Sequence, residues 1–295
     1  MKKILVTGGS GLLGSKIISL ARNDFEIIGT SNLNPIHIEG CRSFKLDITD
    51  RTAVFELTKK VKSDVVIHTA AFTDVDMCED QKEKAWKVNV DGTKNITDAC
   101  KEIHAKVIYM STDYIFDGKN GPYSEEDKPK PINYYGLTKL EGESIIKSSG
   151  LDYVIIRSTI LYGWNPIDHL NFVTWVIDKL KKREEIKVVT DQYGNPTLAD
   201  NCAEAILDII KKNKSGIYNI VGRDWVNRFE FAKKICEIFN LDKRLISPVT
   251  SDAIKQRANR PKVAGLKIDK AQRELDTKLL NIEESLIKMK RQIEK

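Results

Sequence analysis

The sequence predicts an α/β protein built on a doubly wound parallel sheet, followed by a smaller C-terminal domain. Three observations point there. Short apolar segments alternate with stretches of helical periodicity over residues 3–157, the pattern of a parallel sheet covered by helices on both faces. A glycine-rich turn, Gly8-Gly9-Ser10-Gly11-Leu12-Leu13-Gly14, joins the first apolar segment to the first helical one. After Arg157 the alternation weakens, with helical patterns near 170–180, 200–212, 228–240 and 282–293 and short apolar segments at 186–189 and 216–221. Residues 1–157 are therefore expected to form the sheet domain and 158–295 mainly a second one, with segments around 190–221 returning to the sheet.

Taken in order, residues 3–7 form the first strand, and Leu13, Ile17, Ile18 and Ala21 mark the helix after the glycine turn. Strand, glycine turn and helix together are the context of a dinucleotide-binding (Rossmann-type) unit. Gly8 permits the tight turn. Gly11 lets a pyrophosphate reach the helix N-terminus, where free N–H groups and the helix dipole favour an anion. Gly14 allows close helix–strand packing. Residues 25–30 form the second strand. An acid after it would bond an adenosine ribose hydroxyl and repel a 2′-phosphate; here stand Ser31 and Asn32, which favours NADP(H), with NAD(H) the alternative.

Residues 43–48 read as a third strand, and Thr49-Asp50 as the cap of a helix running to Val61. Residues 64–71 read as a fourth strand, ending in the small Ala70 and Ala71, and 80–104 as one long helix. Residues 106–111 read as a fifth strand with Thr112 and Asp113 at its carboxyl end, where binding and catalytic groups gather in open parallel sheets. A loop over 117–131 precedes the helix that holds Tyr135 and Lys139, and 152–157 form the sixth strand. Four residues apart, Tyr135 and Lys139 share one helix face. A free tyrosine titrates near pH ~10, and a nearby ammonium lowers that value, which gives a tunable acid/base group.

Composition sets bounds. The chain has 295 residues, 41% apolar and 31% charged, as expected of a soluble globular protein with a sizeable core. No apolar run approaches the ~20 residues of a membrane helix, and the opening apolar stretch breaks at Gly8-Gly9, so a strand is expected there and no signal peptide. Cys41, Cys78, Cys100, Cys202 and Cys236 are scattered with no Cys-x-x-Cys pair; reduced thiols in the cytoplasm are expected, with neither zinc site nor disulfides. His37, His68, His104 and His169 lack metal-ligand spacing and are read as packing or surface residues. The net charge of +6 is spread out, and the basic run Lys179-Leu180-Lys181-Lys182-Arg183 leads at once into Glu184-Glu185. Nucleic-acid binding is not expected; an anionic small substrate suits the balance.

These landmarks, along the whole chain, resemble the extended short-chain dehydrogenase/reductase family. Thr7-Gly8-Gly9-Ser10-Gly11-Leu12-Leu13-Gly14 is similar to its cofactor turn, Asp47-Ile48 to the pair bordering the adenine, Asn89 to its helix asparagine, and Thr112, Tyr135 and Lys139 to its catalytic trio. Within it, 70–76, 111–118, 191–197 and Asn259-Arg260-Pro261 resemble the dTDP-4-dehydrorhamnose reductases. The resemblance implies NADPH-dependent reduction of a dTDP-linked 4-ketosugar to dTDP-L-rhamnose. It implies that Ala70, Ala71, Thr73, Tyr135 and Lys139 also border the cofactor, and that Thr73, Val75, Thr112, Asp113, Tyr114, Ile160 and Asn195 face the substrate. It allows a homodimer, and no metal is assigned. Two departures stand out. The tryptophan those reductases often carry shortly after the Arg157-like position is absent, the nearest being Trp164. Residues 160–163 and 117–139 also look like the beta regulatory subunit of methionine adenosyltransferase, an NADP-binding partner protein. Tyr114 stands where a sugar dehydratase of this family would carry glutamate, which argues against dehydration; epimerisation stays open.

Overall fold

The computed structural model describes residues 1–165 and 171–294. In chain order come β1 (Lys3–Thr7), α1 (Leu12–Ala21), β2 (Glu26–Ser31), β3 (Arg42–Lys45), α2 (Arg51–Val61), β4 (Val65–His68), α3 (Val75–Asp80), α4 (Lys82–Trp86), α5 (Gly92–Ile103), β5 (Lys106–Thr112), α6 (Tyr134–Lys147) and β6 (Tyr153–Ser158). Then follow β7 (Leu161–Tyr162), α7 (Phe172–Lys181), β8 (Ile186–Val189), β9 (Tyr193–Gly194), β10 (Thr197–Leu198), α8 (Ala199–Lys211), β11 (Gly216–Asn219), β12 (Val226–Asn227), α9 (Arg228–Phe239), β13 (Ile246–Val249), α10 (Asp269–Glu274) and α11 (Ile282–Ile293). The main sheet has seven strands in the order β11-β6-β5-β4-β1-β2-β3, with every pair parallel.

Apart from the exposed edge strand β3, the strands are largely apolar on both faces because helices cover both. Ile4 and Val6 of β1 join α1 and α8 in one core, while Leu5 joins α2, α5 and α6 in the other. All seven residues of β5 are buried. A third core lies beyond the sheet, where α7, α9 and α11 bury Val176, Ile235 and Leu286 around Tyr162 and Phe231. The residues after Ser158 are thus divided: α8, β11 and α10 pack on the main sheet, and α7, α9 and α11 build the second core.

Several expected boundaries shift. The second strand runs from Glu26 to Ser31, the third covers only Arg42–Lys45, and the fourth ends at His68, so Ala70 and Ala71 lie in the loop beyond it. The long helix expected over 80–104 begins earlier and is interrupted. Gln81, at φ −121° and ψ 56°, separates α3 from α4, and a π-helical turn at Lys87–Asp91 precedes α5. Periodicity alone merges these pieces because apolar residues recur across both breaks. The short strand expected over 216–221 ends at Asn219. His169 and the expected helix start at Leu170 lie outside the described residues.

The glycine turn is held by steric necessity. Gly8 sits at φ +69°, and a Cβ on Gly14 would stand 2.3 Å from the Gly8 carbonyl oxygen and 2.9 Å from the Gly9 Cα. Both neighbours are backbone and cannot swing aside. Gly14→Ala is expected to cost about 1–3 kcal/mol, read as a lower urea midpoint; an unchanged midpoint would show that the turn and α1 separate freely.

Candidate active site

The site grows from the end of β5. After Thr112 the chain tightens into a 3-10 turn, Asp113–Ile115, capped by Thr112 Oγ1, which accepts from the Tyr114 N–H at 3.2 Å. Helix α6 is laid directly on this turn. Its N-cap Asn133 accepts from the Gly136 N–H at 2.7 Å and donates to the Asn259 carbonyl at 2.8 Å. A Cβ on Gly136 would lie 2.1 Å from the Tyr114 carbonyl oxygen, so only glycine permits the approach. That contact brings Tyr135 beside Thr112, whose side chain acts on the titration of its phenol. The Tyr114 and Tyr135 rings meet edge to face at 6.0 Å. Lys139, one turn further and buried, holds its ammonium nitrogen 4.1 Å from the centre of the Tyr109 ring.

Burial dominates the electrostatics. It pulls Lys139 down to about 7, against the pull of Glu143. Tyr135 keeps part of its surface exposed, yet burial around its side chain raises its phenol, and Cys78, Asp113 and Tyr114 add to the rise; the Thr112 side chain opposes it. This corrects the expectation that Lys139 lowers the tyrosine: the lysine is not among these leading influences, and it surrenders its own proton near neutrality. Asp113 is buried and pushed up to about 6, against Thr159, Arg228, Thr112 and the Gly265 N–H. Arg228 also draws the Tyr114 phenol down, against the burial that raises it. Arg260 pairs with Asp76 at 2.9 Å. Sequence reasoning missed Thr159, Arg228 and Cys78, which reach the site from distant segments. It could have found Glu143, which repeats the four-residue step from Lys139.

The nucleotide side lies at the carboxyl ends of β1, β2, β3 and β4, neighbours in the sheet. Gly11, the N-cap of α1, carries no side-chain cap, and the N–H groups of Leu12 and Leu13 begin the helix without intrahelical partners. The Leu13 side chain is in the core, so only its backbone could serve a ligand. The Ser10 carbonyl accepts from Asn165 at 3.3 Å. Ser31 is buried and Asn32 exposed. The Asp47 carboxylate accepts from the N–H and hydroxyl of Thr49 at 2.9 and 2.8 Å, and Asn32 is among the groups that favour its charged form. Ile48 packs in the core under Gly92. Ala70 and Ala71 are partly buried, Thr73 is exposed, and Val75 opens α3.

Two asparagines expected at ligands are tied elsewhere. Asn89 accepts from the Phe72 N–H at 2.7 Å and donates to the Phe72 carbonyl and Thr138 at 3.0 Å each. It therefore braces the loop after β4 against α6. Asn195 donates to the Gly222 carbonyl at 3.1 Å and accepts from the Leu266 N–H at 2.9 Å. Ile160 adopts φ +46° and lies where a side chain on Gly194 would fall. His68 is a packing residue, bonded to Thr7 and Thr93 and pushed down to about 3 by burial. Among the described residues no helix is long and apolar enough to cross a membrane.

Residues 1–294 match the family described as RmlD substrate binding domain. The chain belongs to this family. It is 32% identical over 284 residues to the probable low-salt glycan biosynthesis reductase Agl14 of Haloferax volcanii, covering 95% of each chain. It is 30% identical over 282 residues to methionine adenosyltransferase 2 subunit beta of Pongo abelii, covering 91% of this chain and 81% of that one. The dTDP-4-dehydrorhamnose reductase of Bacillus anthracis str. Ames, solved in complex with NADP, superposes with a TM-score of 0.87 at 31% identity, covering 99% of this chain and 100% of that one.

In this RmlD family member the buried lysine costs stability. Its value falls from 10.5 in the free side chain to about 7 in the fold, so between those limits the unfolded chain binds the extra proton. Stability then rises with pH across that interval, and the cost is full below it. Lys139→Met is expected to stabilise the protein by on the order of 1–3 kcal/mol at pH ~6.5, with the gain shrinking towards pH ~10. Urea unfolding at both values tests this; a pH-independent difference would contradict it.

Proposed function

We propose that the protein is an NADPH-dependent reductase acting on the C4 ketone of a dTDP-4-keto-6-deoxysugar to give dTDP-L-rhamnose. The observation that carries this is the meeting of Thr112 and Tyr135, with Lys139 one helical turn on, at the carboxyl end of a central strand. The named reductases among the relatives support it. On this reading the sheet domain holds the cofactor and the residues beyond Arg157 mainly the sugar nucleotide. Five unpaired cysteines suit a reducing cytoplasm.

The glycine turn fits a dinucleotide, because Gly8, Gly11 and Gly14 keep the α1 N-terminus bare of side chains. The end of β2 offers Ser31 and Asn32 with no acid of its own, which favours NADP(H) over NAD(H). When bound, NADPH supplies the hydride. The chain's residues do the rest. Tyr135, held protonated by its raised pKa, gives its proton to the oxygen as charge develops; an alkoxide is the stronger base, so the transfer runs downhill. Thr112 holds that oxygen beside the phenol. Lys139, poised near neutrality, would bond the nicotinamide ribose in its charged form. Asp113, Tyr114, Thr73, Val75 and Ile160 would line the sugar side, and Ala70, Ala71, Asp47 and Ile48 the nucleotide. The inward bonding of Asn89 and Asn195 gives both a bracing role.

A second reading, a regulatory subunit loaded with NADP, is favoured by the similarity to methionine adenosyltransferase 2 subunit beta. Loss of reduced-nicotinamide absorbance with a panel of 4-ketosugar nucleotides, run with NADPH and NADH, separates the two: no loss would favour the subunit. Tyr135→Phe is expected to keep NADPH affinity and lose turnover by about 10²–10⁴-fold. Turnover within a few-fold of the parent would remove the tyrosine from the chemistry.

A further inference from the structure

Lys139 is buried, and among the described residues its ammonium makes no hydrogen bond and no ion pair. The carboxylate one turn on, Glu143, is already engaged. It forms a buried ion pair with Arg157 at 2.9 Å and accepts from the Ser111 hydroxyl at 2.7 Å and from Lys147 Nζ at 3.0 Å. What the Lys139 ammonium meets is a ring. Its nitrogen lies 4.1 Å from the centre of Tyr109, well within the range at which a ring face attracts a cation.

That ring is fixed from several directions. Tyr109 and Ser111 stand two apart on β5 and turn to the same helix, α6. Tyr109 is fully buried, where a phenol hydroxyl needs a partner, and its hydroxyl lies 3.4 Å from the Lys139 carbonyl oxygen. One residue therefore meets Lys139 twice, at the ammonium with its ring and at the backbone with its hydroxyl. Helix α6 makes room for it. A Cβ on Gly142 would stand 2.1 Å from that hydroxyl and 2.6 Å from the ring carbon bearing it. Glycine inside a helix costs backbone entropy, and here it admits the ring. From β4, His68 packs on Tyr109 with ring centres 5.8 Å apart, and is itself bonded to Thr7 at 2.7 Å and Thr93 at 3.1 Å. A ring also suits the task better than an acid. A carboxylate would neutralise the ammonium and take up its donors, whereas a ring face attracts the cation and leaves lysine donors for a ligand.

We propose that Tyr109 is a positioning residue, whose ring face seats the Lys139 ammonium one helical turn from Tyr135. The consequence for turnover rests on the reductase reading; the contact and its test do not. The charged and titratable groups around Lys139 are Tyr135 and Glu143 on α6, Tyr109 on β5 and His68 at the end of β4. The Tyr109 ring can be altered at constant size and constant net charge, which separates its contact from the field of those neighbours. Fluorine withdraws negative charge from a ring face and barely changes its shape. Tyr109→Phe is compared with the same phenylalanine carrying one, two or three ring fluorines. The Lys139 titration is followed by NMR of protein with ¹³C-labelled lysine side chains, the signal being assigned with Lys139→Arg. Tyr109→Phe keeps the ring and is expected to move the titration by at most a few tenths of a unit. Along the fluorinated series it is expected to fall in steps, by on the order of one pH unit in all. If loss of the hydroxyl prevents folding, fluorines on the tyrosine itself, whose phenol burial keeps protonated, give the same comparison. A titration that stays constant or rises along the folded series would overturn the proposal, because a ring that only fills space does not register fluorine. On the reductase reading, kcat measured above the titration falls in step, by up to about tenfold, while the KM for the sugar nucleotide holds. Wild-type protein inert towards every 4-ketosugar nucleotide would defeat the reductase reading and leave the lysine titration to decide this one.

Discussion

The site depends on one close approach: the first turn of α6 rests on the carbonyl of Tyr114, with no room at Gly136 for a side chain. Everything functional is referred to that contact. It sets the depth of Tyr135 against Thr112, and the pitch of the helix then carries Lys139 to the Tyr109 ring and Glu143 to Ser111 and Arg157. The helix is pinned at both ends of this run, by the Asn133 cap at its start and by the buried ion pair nearly three turns later. Such double anchoring would hold Tyr135 and Lys139 within the narrow tolerances that the proposed proton transfer requires.

Burial then does the tuning. The phenol is kept protonated and the lysine is kept on the edge of ionisation by the same dense surroundings. Asp113, also buried, is drawn towards neutrality at the other side of Thr112. The trio thus sits among groups whose charge states are easily moved, which is the usual electrostatic mark of a working site.

Much of this is legible in the chain itself, for identifiable reasons. Thr112, Tyr135 and Lys139 can be read because a strand end and a helix face are local patterns. The glycine turn can be read because its spacing and its flanking strand and helix are contiguous. Arg228, Thr159 and Gly265 cannot, since each meets the Asp113 turn across a long loop of sequence and no periodicity records the meeting. The partners of Asn89 and Asn195 are illegible for a related reason: an amide written in sequence does not say what it bonds, and here Asn89 bonds the Phe72 backbone and Thr138 while Asn195 bonds the Gly222 and Leu266 backbone. The helix over 80–104 reads as continuous because its interruptions preserve the apolar rhythm.

The π-helical turn at Lys87–Asp91 sets the direction in which Asn89 faces. A π turn holds one residue more than the α-helix around it, and one residue corresponds to about 100° of rotation. Losing a single residue there would regularise the helix while turning Asn89 away from Phe72 and Thr138, and with it the brace on the loop that follows β4. The helix would gain regular hydrogen bonds and the loop would lose its tie to α6. A one-residue deletion at this place is therefore expected to release the loop after β4 while leaving a regular helix behind.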